Sequence, residues 1–135
     1  MSKYTVKLQE RGRCVLTHQL NHARVVTDVA PEFGGSGRSF SSTDLVAAAV
    51  GSCLLTTIDK VVERAGHDPK KLEARIEKTL SAHPKQIKRI DVEVYHPDPL
   101  GETLIKKLHK AAATCAVKRS LNDSVEVALE FVDSE

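Results

Sequence analysis

The sequence contains few aromatic residues and no excess of charge of either sign. Three Phe, two Tyr and no Trp make up 4% of the 135 residues, so few side chains can stack on nucleic-acid bases. Twenty Lys plus Arg against eighteen Asp plus Glu give a net charge of +2, which indicates no polyanion-binding surface. We therefore expect no nucleic-acid partner.

Cysteine is also scarce, and its spacing excludes a secreted disulfide framework. Cys14, Cys53 and Cys115 are an odd number and form no C-x-x-C pair. The N-terminal residues lack the apolar segment of a signal peptide, and we expect no window near the roughly 18 apolar residues of a membrane span. These absences predict a cytoplasmic protein without a membrane partner, whose cysteines are packing residues, metal ligands or reactive thiols.

The length and the hydrophobic periodicity predict one α+β domain covering residues 1–135. The segments YTVKL, CVLTHQL and ARVVTDV alternate like the strands of an antiparallel meander, and LEARIEKTLSA and IKRIDVEVYH like a hairpin. SVEVALEFV is typical of a final strand. With helices in SSTDLVAAAVGSCLLTTIDKVVERAG and DPLGETLIKKLHKAAATC, the predicted order is βββ-α-ββ-α-β, with antiparallel sheets packed on helices.

The first helix has clear start and stop signals. Ser41 is its predicted N-cap and Asp44 its capping-box partner, because they are three residues apart and precede an apolar run. Gly66 is the predicted C′ residue. Small residues between Ala47 and Gly51 favour close packing of this helix against a neighbouring element.

Cys53, about three turns into this helix, has two possible roles. Free cysteine often packs as a small hydrophobe, and the same role is open for Cys115. A nucleophilic cysteine must instead ionise, because the thiolate is the reactive form. Cys53 lies beyond the first turn, where the helix dipole acts. A reactive Cys53 therefore requires a cation from another element, and arginine stays charged when partly desolvated.

The motifs around the cysteines resemble those of the OsmC/Ohr family, the osmotically inducible and organic hydroperoxide resistance proteins. The helix carries S-x-x-D-L-x-x-A-A-x-G-x-C and continues to R-A-G, and Cys115 lies in C-x-V. The preceding D-x-x-P-E-F-G-G is similar to the lead-in of OsmC-like members. The resemblance covers nearly the whole chain, and the helix motif with the second cysteine is its specific part.

The resemblance implies a thiol-dependent peroxidase that works as an intertwined homodimer with sites at the subunit interface. Cys53 matches the peroxidatic cysteine, which would become a sulfenic acid, and Cys115 the resolving cysteine, which would close a disulfide. An external dithiol would reduce the disulfide, and in the Ohr branch this reductant is a lipoylated protein. Organic hydroperoxides are the expected substrates. No cofactor or metal ion is expected.

The resemblance also implies an arginine from the N-terminal strands and an acidic residue at the start of the cysteine helix. We favour Arg11 or Arg13 for this arginine, with Arg24 as the next candidate. Arg38, in the loop before the helix, is also close to the site in sequence. A solvated surface role remains open for each of them. Asp44 matches the acidic position, although the capping box explains it equally well.

Two departures from the family pattern keep a second function open. Ala116 follows Cys115 where many members have proline, and Ser41-Ser42 stands where many have Ser-Pro or Asn-Pro. The alternative is a non-catalytic OsmC-like protein that binds a small apolar ligand or senses redox state. A further alternative is that both cysteines are inert core. His18 and His22 have the spacing of a helical metal site, but we predict strand and turn there.

Overall fold

The predicted order of elements is confirmed in residues 3–133, which the computed structural model describes. One short α-helix and two 3₁₀ helices, Pro31–Phe33 and Pro69–Lys71, are added to it. The α+β class is confirmed, with two three-stranded sheets. Two compact units divide the chain, Met1–Val46 and Ala47–Glu135, and the single-domain assignment stays a prediction. The elements are β1 (Tyr4–Glu10), β2 (Arg13–His18), β3 (Arg24–Asp28), α1 (Ser42–Arg64), β4 (Glu73–Ala82), β5 (Lys85–His96), α2 (Glu102–Ala112), α3 (Ala116–Ser120) and β6 (Glu126–Asp133).

The first unit contains the predicted meander. β2 lies between β1 and β3 and pairs antiparallel with both. The chain turns from β1 to β2 at Gly12, whose φ of +76° is a conformation that glycine adopts without steric cost. Alternate residues of β1 are apolar and exposed: Tyr4, Val6 and Leu8 are 66%, 64% and 67% accessible. This sheet therefore presents an uncovered apolar stripe along its edge strand.

Both ends of α1 follow the predicted signals. The Ser41 N–H donates to Asp44 Oδ2 at 2.9 Å, and the Asp44 N–H donates to Ser41 Oγ at 3.1 Å, which forms the capping box. At the other end Gly66 has a φ of +91°. The N–H groups of Gly66 and His67 donate to carbonyls of the last turn at 3.0 and 3.2 Å, as in a Schellman motif.

The second unit packs α1 and α2 with a mixed sheet. β4 and β5 form the predicted antiparallel hairpin, whereas β6 pairs parallel with β5, because α2 and α3 return the chain before β6 begins. The fully antiparallel pairing expected from the sequence is therefore wrong for this pair. The buried apolar residues are Ala47, Val50, Leu54, Ile58, Val62, Ile90, Val92, Val94, Leu108, Ala112 and Cys115.

Gly51 is a position where α1 lies close to a side chain of this sheet. It is buried, and a Cβ on it would lie 2.6 Å from Ile76 Cδ1 and 3.1 Å from Ile76 Cγ1. The missing side chain therefore sets the separation between α1 and β4 two residues before Cys53.

The expectation that no window is apolar enough for a membrane span is wrong for α1. Ser42–Arg64 contains an 18-residue window with a mean hydropathy of 1.7, of which 33% is buried. The core helix of a soluble protein has the same length and composition, so this is weak evidence for a membrane segment.

Candidate active site

Cys53 lies on α1 with its side chain partly exposed at the edge of the core. One turn later, the Thr57 hydroxyl donates to the Cys53 carbonyl oxygen at 2.6 Å, and its Oγ1 lies 3.9 Å from the Cys53 sulfur. The helix therefore fixes the Cys53 backbone while it leaves the sulfur open on one side.

Cys115 lies in the turn between α2 and α3 and is fully buried. It is the N-cap of α3, and its sulfur accepts a hydrogen bond from the Lys118 N–H at 3.5 Å. Its side chain interacts with that of Cys53, since each of the two thiols shifts the pKa of the other. The structure thus brings together the two cysteines that the sequence singled out, from helices far apart along the chain.

The surroundings of the two sulfurs shift their pKa values in opposite directions. Hydrogen bonds from the Val117 N–H and the Cys115 thiol lower the pKa of Cys53; burial opposes them, and smaller contributions from Thr57 and the Ala116 N–H add to the lowering. Burial raises the pKa of Cys115, and the interaction with the Cys53 side chain raises it further. Cys53 therefore ionises before Cys115, as a nucleophile with a proton-donating neighbour should.

The main-chain donors of α3 were missed in the sequence argument. The sequence predicts a cation that stabilises a Cys53 thiolate, because the dipole of α1 does not reach the sulfur. The backbone N–H groups of Val117 and Ala116 act on Cys53 instead and lower its pKa. The available signal was a helical segment, AVKRS, that starts directly after Cys115, since the first N–H groups of a helix have no intrahelical acceptor.

The predicted arginines lie in the first unit, where two of them hold one buried carboxylate. Arg13 Nη1 and Arg38 Nε each lie 3.3 Å from Asp28 Oδ2, and the Arg38 N–H donates to the same oxygen at 3.0 Å. Arg38 also pairs with Glu10. Arg11 and Arg24 are exposed.

Asp28 is only 1% exposed, and its charge is maintained by these arginines. Burial acts to raise the pKa of its carboxyl group, but the hydrogen bonds and charge of Arg38, with the charge of Arg13, outweigh burial and hold the pKa below its ordinary value. Among the described residues, no group donates to Asp28 Oδ1. In the sequence, Asp28 stands out only as the first residue of D-x-x-P-E-F-G-G, and no pattern there indicates that it is buried between two arginines.

Asp44 performs the capping role that the sequence predicts. Its carboxylate and N–H complete the capping box with Ser41. The catalytic role that the resemblance implies for Asp44 stays a prediction, as do the roles of Arg11 and Arg13. Cys14 lies on β2 opposite Leu8 and Thr27.

Three side chains of the second unit have the composition of a metal site. Donor atoms of His67, His96 and Asp98 lie within 4.8 Å of one another. Both ring nitrogens of His96 are already used, however: Nδ1 accepts from the Asp98 N–H at 3.0 Å, and Nε2 lies 2.8 Å from the Asp68 carbonyl oxygen. A metal ion bound at Nε2 would require imidazolate or loss of these bonds, so the arrangement favours a structural role.

The His18 and His22 pair is not helical. His18 ends β2, and its Nδ1 accepts from the N–H groups of Leu20 and Asn21 at 3.2 and 3.4 Å. His22 has a φ of +63°. The predicted strand and turn are confirmed, and the helical metal-site spacing does not apply.

Solved structures of similar fold cover nearly the whole chain. A protein of Psychrobacter arcticus, whose name refers to induction by osmotic stress and a detoxification response, has a TM-score of 0.91 at 24% identity, covering 98% of this chain and 96% of that one. An organic hydroperoxide resistance protein OsmC of Legionella pneumophila has a TM-score of 0.74 at 18% identity, covering 97% and 96%.

A third structure, the organic hydroperoxide resistance protein OhrB of Bacillus subtilis, has a TM-score of 0.67 at 18% identity and covers 98% of both chains. At these identities the likeness shows the fold alone. No curated protein sequence matches significantly. The model of the OsmC-like protein family matches residues 35–130, a span that contains α1 and both clustered cysteines. The chain belongs to the OsmC-like protein family.

Proposed function

We propose that the chain is a thiol-dependent peroxidase that reduces organic hydroperoxides, and hydrogen peroxide less efficiently, in defence against oxidative stress. Cys53 is the peroxidatic cysteine and Cys115 the resolving cysteine. The observation that carries the proposal is the interaction of the two cysteine side chains, which lowers the pKa of Cys53 and raises that of Cys115.

The reaction follows from that arrangement. The Cys53 thiolate attacks the terminal peroxide oxygen of ROOH, the O–O bond breaks, and ROH leaves after taking up a proton. Cys53 is then a sulfenic acid, Cys–SOH. The Cys115 sulfur attacks the Cys53 sulfur, the S–O bond breaks, and water leaves as the disulfide forms. An external dithiol, such as that of a lipoylated protein, supplies two electrons and two protons to restore both thiols.

The charge on Cys53 fixes the order in which the two cysteines react. The negative charge of Cys53 and the hydrogen bond to it both raise the pKa of Cys115. Oxidation of Cys53 to a neutral sulfenic acid removes both of these causes. Burial is then the remaining cause that raises the pKa of Cys115. Cys115 therefore becomes easier to ionise only after Cys53 has reacted, which is when a resolving thiolate is needed.

The comparisons support the peroxide chemistry at the level of the family. Among the similar structures, those of Legionella pneumophila and Bacillus subtilis are named organic hydroperoxide resistance proteins. An organic substrate is favoured because Cys53 is flanked along α1 by Ala, Val and Leu. A reducing cytoplasm would keep the two thiols free between turnovers.

A second copy of the chain is the proposed partner. The exposed stripe of Tyr4, Val6 and Leu8 on β1 is an apolar surface of the kind that an intertwined subunit covers. We expect size-exclusion chromatography with light scattering to give the mass of a dimer. A monomeric mass would reject the proposed dimer and, with it, any site at a subunit interface.

Thiol counting tests the peroxidase directly. The reduced protein has three free cysteines, and stoichiometric cumene hydroperoxide should remove two thiols per chain. Cys53→Ser should abolish this loss, whereas Cys14→Ser should leave it at two, which makes Cys14 the matched control. A Cys53 that stays unmodified at neutral pH would reject the proposal and favour the ligand-binding or sensing alternative.

A further inference from the structure

Positive charge is concentrated in the part of the chain that carries Cys115. Residues 103–122, called here the basic segment, contain five Lys and Arg and no Asp or Glu, whereas the rest of the chain has fifteen Lys and Arg against eighteen Asp and Glu. The five cations are Lys106, Lys107, Lys110, Lys118 and Arg119. All are exposed except Lys118, which is half-buried. The small net charge of the chain therefore hides a strongly basic surface.

Few of these cations are neutralised within the chain. Among the residues that the structure describes, only Lys106 of the five forms an ion pair, with Glu102 at 3.7 Å, and a pair this exposed contributes little. Arginines elsewhere each pair with one or two carboxylates: Arg13, Arg38, Arg75 and Arg89. The basic segment thus keeps its charge available to a partner.

The cations lie on both sides of the turn that contains Cys115. Lys110 belongs to the last turn of α2, five residues before Cys115, and Lys118 and Arg119 belong to the last turn of α3. The Lys118 N–H donates to the Cys115 sulfur at 3.5 Å, which holds α3 against the cysteine. An anionic group near this turn is attracted over roughly 10 Å at 0.1 M salt.

We propose that the basic segment is the docking surface for the reductant, and that this reductant is an acidic protein segment that presents a dithiol. The inference rests on the proposed function, which requires an external dithiol in every turnover. Cys53 is the sulfur that the dithiol attacks, because Cys115 is fully buried and Cys53 is partly exposed.

The exchange balances without a further reactant. One thiolate of the dithiol attacks the Cys53 sulfur, the Cys53–Cys115 bond breaks, and Cys115 leaves as a thiolate that takes up a proton. The second thiol loses its proton and attacks the partner's own sulfur in the mixed disulfide. Cys53 is then released as a thiolate, and the partner keeps a cyclic disulfide.

The composition of the basic segment favours an acidic protein over other polyanions. It contains no Phe, Tyr or Trp, so it has no side chain to stack on nucleic-acid bases. Its Leu, Ile and Val residues are buried or half-buried, so it has no apolar face to insert into a lipid surface. A dithiol partner, in contrast, has its substrate at this turn.

Two synthetic peptides test the preference for negative charge. Each carries a reduced lipoyl-lysine, flanked by four glutamates in one peptide and by four glutamines in the other. Diamide forms the Cys53–Cys115 disulfide, and alkylation with mass spectrometry follows its reduction. We expect the glutamate peptide to react at least about tenfold faster at low ionic strength, and the difference to vanish near about 1 M salt. Equal rates at low ionic strength overturn the inference.

Charge reversal locates the surface. Lys107→Glu with Lys110→Glu should slow reduction by the glutamate peptide about tenfold or more, while oxidation by uncharged cumene hydroperoxide stays unchanged. Lys70→Glu with Lys71→Glu is the matched control, since it changes the net charge equally at exposed positions outside the basic segment. Circular dichroism checks folding, and a Gln pair at positions 107 and 110 replaces the Glu pair if that variant does not fold. Equal losses in the two pairs contradict the proposed location.

A binding measurement separates this inference from the peroxidase. The glutamate peptide with an unmodified lysine needs neither disulfide nor peroxide, and fluorescence anisotropy measures its binding. Binding that is lost in Lys107→Glu with Lys110→Glu, and kept in the control pair, supports the docking surface even if the chain consumes no peroxide, which rejects the peroxidase alone. Peroxide turnover without any preference for the glutamate peptide, or binding of single-stranded DNA in its place, rejects the docking surface alone.

Discussion

Cys53 and Cys115 shift each other's pKa in opposite directions, although Cys115 is the N-cap of α3 and Cys53 lies within α1. Because the pKa of Cys53 is lowered and that of Cys115 is raised, the two thiols differ in reactivity before any oxidant is present. This difference between the two thiols determines the results expected from alkylation of both cysteines and from substitution of Cys115.

The reactivity of the two cysteines should separate with pH. The lowered pKa of Cys53 predicts that its alkylation rate rises at lower pH than that of Cys115, which burial holds protonated. Peptide-resolved alkylation across neutral and alkaline pH measures both profiles. The unfolded chain is the control, because both cysteines should titrate alike there. The reverse order in the folded chain would contradict the assignment of nucleophile and resolving thiol.

Two substitutions at position 115 should separate its roles as donor and resolving cysteine. Cys115→Ser and Cys115→Ala should both stop disulfide formation, so that dimedone traps the Cys53 sulfenic acid. Serine keeps a hydroxyl donor and alanine does not. We therefore expect Cys115→Ala alone to slow the first step, by up to about tenfold. Stopped-flow measurement with cumene hydroperoxide gives the rate, and equal rates in the two variants would show that the Cys115 donor does not assist Cys53.

The arginines of the first unit should differ in importance. If Arg11 or Arg13 supports the thiolate and the peroxide, as the family resemblance implies, its replacement by alanine should slow the first step by about 10-fold to 100-fold, the cost of one charge-assisted hydrogen bond. Arg24→Ala is the control at an exposed position of the same sheet. Normal rates in both Arg11→Ala and Arg13→Ala would reject this role for both arginines.

Asp28 should make the stability of the chain depend on acid pH. Its pKa lies below the ordinary value of 3.8 when folded, so its contribution is present above that value and is lost as the pH falls through the lowered one. We expect Asp28→Asn to lower the melting temperature near neutral pH, since Arg13 and Arg38 lose their shared charge. The difference from the unmodified chain should shrink in acid. Glu32→Gln, at an exposed carboxyl group of the same unit, controls for general charge effects, and a difference that does not change with pH would be evidence against this role.

Local signals explain most of what could be predicted from the sequence. The capping box of Ser41 and Asp44 and the left-handed Gly66 depend on residues three or four positions apart, so a pattern reveals them. The pairing of Cys53 with Cys115 depended on the family resemblance, because no spacing shows that distant helices meet. The Val117 N–H carries no side-chain signature at all, and Asp28 gains its environment only when β2, β3 and the following loop assemble.

The contact between Gly51 and Ile76 links packing to acidity. A methyl group on Gly51 would lie 2.6 Å from Ile76 Cδ1, so Gly51→Ala requires either that Ile76 change rotamer or that α1 move away from β4. In the second case the sulfur of Cys53, two residues further along the helix, would move relative to the amides of α3. An uncharged substitution in the core would then shift the pH optimum. The distance between α1 and β4 would in that case influence how readily Cys53 ionises.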